Sequence, residues 1–373
     1  MRIAHVTLDG GFPRYGIGLA VLSLASAQAR MGHEIVLCVR AENARTEEPP
    51  PPGLRIIGLV RRSGLLGGRR AYRRQVLDAI SPGVDVVHVH SLVRMAHWLL
   101  PSGTRRAAPL VVTAHASDEL GSTASPAGAA TPARARRHTA QARAVLAGAH
   151  AIVVPSRFME RLVRRVAVRE GIHVIGHGPT DERPVPRKAS SRFVVTALAR
   201  FVPVKGMSLL LDAFHAAFGA DDSTRLVLAG DGPERDALEA RARALGLGDH
   251  VAFPGYVTGD ARAALLAGTD LVAVPTHGDY ETFGLAALDG LAAGCAVRVA
   301  AGGALPERVD LGGVVAAQSV EAWTRALQAC RLDVRGREAA ALGAASVLGE
   351  NSWSRAVAAH ETAYLAARAA CGS

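Results

Sequence analysis

Two acids and two cations are the residues best placed to do chemistry. Glu281 stands just before Phe283-Gly284-Leu285, and Asp289 follows it by eight positions. Arg200 and Lys205 lie five apart on the stretch Arg200-Phe201-Val202-Pro203-Val204-Lys205-Gly206. Carboxylates accept hydrogen bonds from hydroxyls, and two cations on one loop can both reach a diphosphate. A surface pair of cations is the plainer alternative. A third candidate is His115, which ends the apolar run Leu110–Ala114 and is followed by Asp118 and Glu119.

The acids need a scaffold, and the surrounding residues supply one. Leu271–Val274 reads as a strand, and Pro275–Glu307 then reads as loop, helix and strand. The amides of Thr282, Phe283, Gly284 and Leu285 fall where the helix begins, so they offer unpaired N–H donors at its positive end. Eight residues are a little over two turns. If the span is helical, Glu281 and Asp289 share a face about 10 Å apart, within reach of one ligand.

The other candidates sit on the same kind of element. Ile3–Leu8 reads as a buried strand, a loop from Gly10 through Gly16 to Gly18 follows, then a helix over 19–31 and a strand over 34–39. This is the opening of a dinucleotide-type fold, although the loop is not G-x-G-x-x-G. Asp9 falls at the end of that first strand. Asp85–His90 reads as a strand with His88 and His90 on one face. Two such histidines could hold a metal or simply pack in the core, and no metal site is expected. Leu110–Ala114 places His115 at a strand end, where ligands of open α/β sheets gather. Residues 181–191 are polar and proline-containing and read as an interdomain linker. The last helix, over about 352–370, is amphipathic.

Composition narrows the class. At 373 residues the chain is long for one core, and 49% apolar content suits a globular protein. No signal peptide or membrane-length apolar stretch is read, and the four cysteines lack metal or redox spacing, so reduced thiols and a cytoplasmic location are expected. Charge is uneven. Residues 1–180 hold 24 Arg and Lys against 11 Asp and Glu, whereas residues 181–373 hold 19 against 22. Six arginines fall within 61–74. Codon bias accounts for an arginine-rich chain, and an anionic acceptor or peripheral membrane contact is the sharper alternative. Aromatic residues are only 4% and nowhere interleave with a basic run, so nucleic acid is not an expected partner.

The order of these motifs resembles the retaining GT-B glycosyltransferases of family 4. Glu281-x-Phe283-Gly284 with an acid at the eighth position resembles that family's donor signature, with Asp289 where Glu is usual. Arg200…Lys205-Gly206 resembles G-R-x-x-x-x-K-G, with Ala199 for the first glycine. Gly230-Asp231-Gly232-Pro233 and Val251-x-Phe253-x-Gly255 match two further motifs, Thr113-Ala114-His115 matches T-x-H, and His177 stands for the Asn of V-I-x-N-G.

The resemblance implies two Rossmann-like domains facing a central cleft. Residues 1–180 would form the acceptor domain, completed by helix 352–373, and residues 181–351 the nucleotide-sugar domain. His115, Glu281, Arg200 and Lys205 would carry catalysis. Gly16, Gly230, Tyr256, Val257, Thr282–Leu285 and Asp289 would complete the donor site, with Asp289 on the ribose. Asp9, Asp118 and Glu119 would border the acceptor. No D-x-D motif is present, so neither a metal nor another cofactor is required. A UDP-sugar such as UDP-N-acetylglucosamine or UDP-glucose is the expected donor. The expected acceptor is a small polyhydroxy or aminocyclitol-type natural product. GDP-mannose or a lipid acceptor is the alternative, and an epimerase or a non-catalytic nucleotide-sugar binding protein is the alternative from another class.

Overall fold

A computed structural model describes residues 1–7, 16–44, 49–60, 67–80, 83–96, 99, 108–120, 131–188, 190–309 and 313–372. The described residues fall into two compact units: 1–123, 130–177 and 353–373 contribute to the first, and 178–352 to the second. Asp9, the loop residues 10–15, the arginines of 61–66 and residues 121–130 lie outside the described residues.

The first unit is built on seven parallel strands: β1 (Arg2–Val6), β2 (Glu34–Arg40), β3 (Leu54–Leu59), β4 (Val86–Val89), β5 (Leu110–Thr113), β6 (Ala151–Val154) and β7 (Ile172–Val174). Their order is β3-β2-β1-β4-β5-β6-β7. Strands β4, β5 and β6 are buried along their whole length, and their near-continuous apolar sequences follow from burial on both faces. Helix α1 (Gly16–Arg30) buries Ala20, Val21, Leu24, Ala25 and Gln28. Helices α2 (Gly67–Ile80), α3 (Pro132–Gly148) and α4 (Arg157–Val166) follow in the same unit.

The second unit has six parallel strands: β8 (Phe193–Leu198), β9 (Thr224–Ala229), β10 (Val251–Gly255), β11 (Leu271–Val274), β12 (Ala296–Ala300) and β13 (Val314–Val315). Their order is β10-β9-β8-β11-β12-β13. Helices α5 (Met207–Phe218), α6 (Arg235–Ala244), α7 (Gly259–Ala267), α8 (Leu285–Ala292), α9 (Val320–Leu332) and α10 (Val334–Glu350) connect and cover them. The core gathers Phe201, Leu210, Phe214, Leu226, Val272 and Trp323.

The final helix, α11 (Trp353–Gly372), belongs to the first unit. It buries Trp353, Ala356, Val357, His360, Ala363, Tyr364 and Ala367. That three-and-four spacing is one helical face.

Segment 181–191 behaves differently from a free linker. The Lys188 amide donates to the Ala267 carbonyl at 2.8 Å, Arg187 donates to the carbonyls of Leu266 (3.2 Å) and Thr269, and Arg183 pairs with Asp181 and Asp260. Two of these bonds satisfy carbonyls at the C-terminal end of α7, which no intrahelical N–H can reach. The segment therefore packs as part of the second unit.

Candidate functional site

Both sheets reverse strand order at one point, between β1 and β4 in the first unit and between β8 and β11 in the second. Crossovers leave in opposite directions there, opening a crevice at the carboxyl ends of the strands. The candidate residues of the second unit stand at that place.

The loop after β8 carries Arg200 and Lys205, and the loop after β11 carries Glu281. The two loops are laced together by the His277 amide, which donates to the Val204 carbonyl at 2.7 Å. Gly206 permits the approach. It has φ +70°, and a Cβ there would sit 2.2 Å from the Pro275 carbonyl oxygen. The result is an ion pair 76 residues apart in sequence, Lys205 Nζ to Glu281 Oε2 at 2.5 Å. Its side chains are only 17% and 19% exposed, and Lys205 also lies 5.0 Å from the centre of the Tyr280 ring. Arg200 is half-buried and has no ion-pair partner among the described residues.

The remaining donor-side candidates of the second unit follow strands of the same sheet. Gly230 follows β9, and its amide donates to the Gly255 carbonyl at 2.8 Å. A Cβ on Gly230 would lie 1.7 Å from the Ala199 carbonyl oxygen, so only glycine lets the β8 and β9 ends close together. Tyr256 and Val257 follow β10 and are partly exposed. Phe283 is buried, and Gly284 is the N-cap of α8.

The helix begins at Leu285, later than the expectation of a start at Thr282. Glu281 is extended, at φ −81° and ψ 115°. Gly284 takes a left-handed conformation that prevents a helix from running back to Glu281. The two acids therefore do not share one helix. Thr282 and Phe283 lie outside it, and the amides at its positive end begin with Leu285.

Asp289 is buried within α8. Its Oδ1 accepts from the Thr180 amide at 2.7 Å, and its Oδ2 accepts from Arg262 Nη2. The Arg262 Nε is itself buried and unbonded. Asp289 thus neutralises an inward-facing arginine. Asp289→Asn keeps an acceptor for Thr180 but removes that charge. It is expected to cost about 2 kcal/mol in urea unfolding of the second unit, the scale of a hydrogen bond to a charged group.

Sequence reading passed over Arg262 and Arg308. The Arg308 guanidinium lies 4.6 Å over the Phe283 ring, with its Cγ beside Gly284. Burial lowers its pKa. The only sequence signal for Arg308 was a Gly-Gly turn followed by Ala-Leu-Pro-Glu-Arg.

In the first unit, His115 stands just past β5 and is 5% exposed. It belongs to a buried histidine cluster with His5 on β1 and His88 and His90 at β4. His5 and His88 are register partners across the β1–β4 pair. His177 stacks on His115, with ring centres 5.6 Å apart. Burial lowers the pKa of each of the four: to about 4 for His5, to about 3 for His115, and well below the usual value for His88 and His90, where like neighbours add to the effect. Ring nitrogens of His5, His88 and His90 lie within 4.8 Å of one another, a spacing that could gather round a cation. Both ring nitrogens of each already have hydrogen-bond partners, however: His5 with His90 and Gln28, His90 with His5 and His115, and His88 with Tyr364 and Thr113.

Glu119 does not face outward as an acceptor-binding acid would. It is buried, and its carboxylate accepts from Ser91 Oγ and from the Leu92 and Val93 amides. It caps the turn after β4, and burial holds its pKa above the usual range. Asp118 is partly exposed, and Gly16 is the exposed first residue of α1.

A family model described as Glycosyl transferases group 1 matches residues 179–340, and one described as Glycosyltransferase Family 4 matches residues 15–183. The D-inositol 3-phosphate glycosyltransferase of Actinosynnema mirum is 30% identical, over 95% of this chain and 92% of its own length. A GDP-mannose-dependent alpha-(1-6)-phosphatidylinositol monomannoside mannosyltransferase of Mycobacterium tuberculosis is 36% identical, over 42% of this chain and 43% of its own length. Among solved structures, Anabaena Alr3699/HepE in complex with UDP and glucose superposes with a TM-score of 0.77 at 19% identity, covering 97% of this chain and 98% of that one.

Proposed function

The chain belongs to glycosyltransferase family 4, with the GT-B fold and a nucleotide-sugar donor, and from that premise we propose retaining transfer from a UDP-sugar to a hydroxyl of a small cyclitol or cyclitol phosphate. The observation that carries this reading is the Lys205–Glu281 pair at the switch point of the second sheet. On donor binding, Lys205 exchanges Glu281 for a diphosphate oxygen. Glu281 is then released to accept from hydroxyls of the sugar. Arg200 and the first amides of α8 add to the field that stabilises the leaving diphosphate. The glycosidic C–O bond breaks and a new C–O bond forms on the same face. The acceptor proton passes to an oxygen of the departing phosphate. His115 contacts the transferring sugar, and Tyr256 and Val257 meet the base, whereas Asp289 reaches the ribose only by giving up its bond to Arg262 or to the Thr180 amide. Arg200 and Lys205 supply positive charge that a metal would otherwise bring.

UDP is favoured because a structural neighbour that covers 97% of this chain holds UDP and glucose. A cyclitol acceptor is favoured because the relative matched over 95% of this chain is named for D-inositol 3-phosphate. The second reading is GDP-mannose with a lipid acceptor, favoured by the mannosyltransferase match over 42% of this chain.

The test is product formation with UDP- and GDP-sugars against inositol, inositol 3-phosphate and phosphatidylinositol vesicles, with and without EDTA. The expected product forms from a UDP-sugar and a soluble cyclitol, with its rate unchanged by EDTA. Transfer only from GDP-mannose to vesicles replaces this reading with the second. Donor cleavage with no transfer to any acceptor points to an epimerase.

A further inference from the structure

The hydrogen bonds inside the first unit form one chain rather than a set of pairs. His115 Nε2 meets His90 Nδ1 at 3.0 Å, His90 Nε2 meets His5 Nδ1 at 2.8 Å, and His5 Nε2 meets Gln28 Oε1 at 2.6 Å. From the other end of the amide, Gln28 Nε2 donates to the Tyr364 hydroxyl at 3.1 Å. That hydroxyl meets His88 Nδ1 at 2.8 Å, and His88 Nε2 meets Thr113 Oγ1 at 2.6 Å. Gln28, His5 and His88 are 0% exposed, and His90 is 2% exposed.

Proton positions in such a chain are not independent. An amide oxygen only accepts, so His5 carries its proton on Nε2. A neutral imidazole has one N–H, so His5 Nδ1 accepts from His90 Nε2–H. By the same rule His90 Nδ1 accepts from His115 Nε2–H, and Nδ1 of His115 is the unprotonated nitrogen. On the other arm the amide N–H occupies Tyr364, whose own proton goes to His88 Nδ1, and His88 Nε2–H goes to Thr113. Reversing the Gln28 amide would reverse each of these bonds. The depressed pKa values agree with neutral rings throughout.

We infer that Gln28 is a positioning residue for the transfer reaction: through His5 and His90 its amide fixes His115 in the Nε2–H tautomer, leaving Nδ1 to accept a hydrogen bond. The consequence for transfer rests on the reading of His115 as a sugar contact; the proton order itself does not. Gln28 touches no substrate in this account and acts only through the two intervening rings. The ordered chain also gives the neighbouring histidines a use other than metal binding, since a cation among His5, His88 and His90 would have to displace these bonds.

The experiment is long-range proton–nitrogen NMR of the histidine rings in the full-length protein, which separates the two tautomers directly. In the wild type His5, His90, His115 and His88 are expected to carry the proton on Nε2. In Gln28→Leu the common tautomer of His5, His90 and His115 is expected to be lost. With UDP affinity unchanged, kcat should fall in proportion to the fraction of His115 leaving the Nε2–H form. Gln28→Met, unbranched and close in volume, serves if the leucine variant does not fold. The inference is overturned if wild-type His115 carries its proton on Nδ1. It is equally overturned if a folded Gln28 variant leaves the His115 tautomer unchanged. If the tautomer is lost and kcat does not move, the assigned role of His115 in transfer fails, and with it the catalytic part of the inference, while the proton order stands.

Discussion

Lys205→Ala and Arg200→Ala are each expected to lower kcat/KM by about two to three orders of magnitude, the scale of one lost contact to developing charge. The two variants should differ in how they fail. Lys205 is paired with Glu281 in a half-buried setting. Its removal leaves that carboxylate without its cation, so Lys205→Ala loses a measure of stability along with activity. Arg200 has no ion-pair partner among the described residues, and its removal should leave urea unfolding nearly unchanged. Glu281→Gln is the companion measurement. It should weaken binding of the nucleotide-sugar more than of the nucleotide alone, because the proposed role of Glu281 is on the sugar. Near-native steady-state kinetics in both cation variants would remove the diphosphate assignment.

Acid should loosen the first unit selectively. His5 and His360 have pKa values depressed to about 4 and His115 to about 3, chiefly by burial, and His88 and His90 are also lowered. His173, partly buried and also lowered, adds to the effect at His360. Other polar groups in the same unit are His177, stacked on His115, the Tyr364 hydroxyl and the capped carboxylate of Glu119. An unfolded histidine takes up its proton near pH 6.5, and these folded ones do not. The unfolded state therefore binds more protons between about pH 6.5 and 4, and stability falls as pH falls through that window. Each such histidine adds to this loss in the same direction, on the order of 1 kcal/mol per pH unit for an independent group. Hydrogen exchange, corrected for its intrinsic pH dependence, should show peptides of β1, β4 and β5 losing protection between pH 6.5 and 5 well before those of β8 and β11. Parallel loss in both units would contradict the buried, neutral histidine core.

Much of the scaffold was written locally. Runs such as Leu110–Thr113 and Leu271–Val274 are apolar at every position or nearly so, because parallel strands are covered on both faces, and the glycine-bearing loops after them mark strand-to-helix turns. Strand β11 was legible over its whole length from Leu271 to Val274. The sequence by itself also determined which residue types stand at the strand ends: Arg200, Lys205, Glu281 and His115.

Which partner each one takes was decided only by the tertiary structure. The expectation of Glu281 and Asp289 on one helix assumed an uninterrupted helix, and a left-handed Gly284 interrupts it. Asp289 meets Arg262 and the Thr180 amide, 27 and 109 residues away, and Glu119 turns inward to amides 26 and 27 residues back. The histidine chain shows the reason most plainly. Strand alternation could place His88 and His90 on one face. Their hydrogen-bond partners, however, come from β1, β5 and its end, and α11, and Gln28 of α1, which joins the two arms, is 336 residues from Tyr364. Sheet register and the return of the last helix bring those groups within 3.1 Å. Neither is encoded in any short-range period, so the order of protons in that core exists only once the fold does.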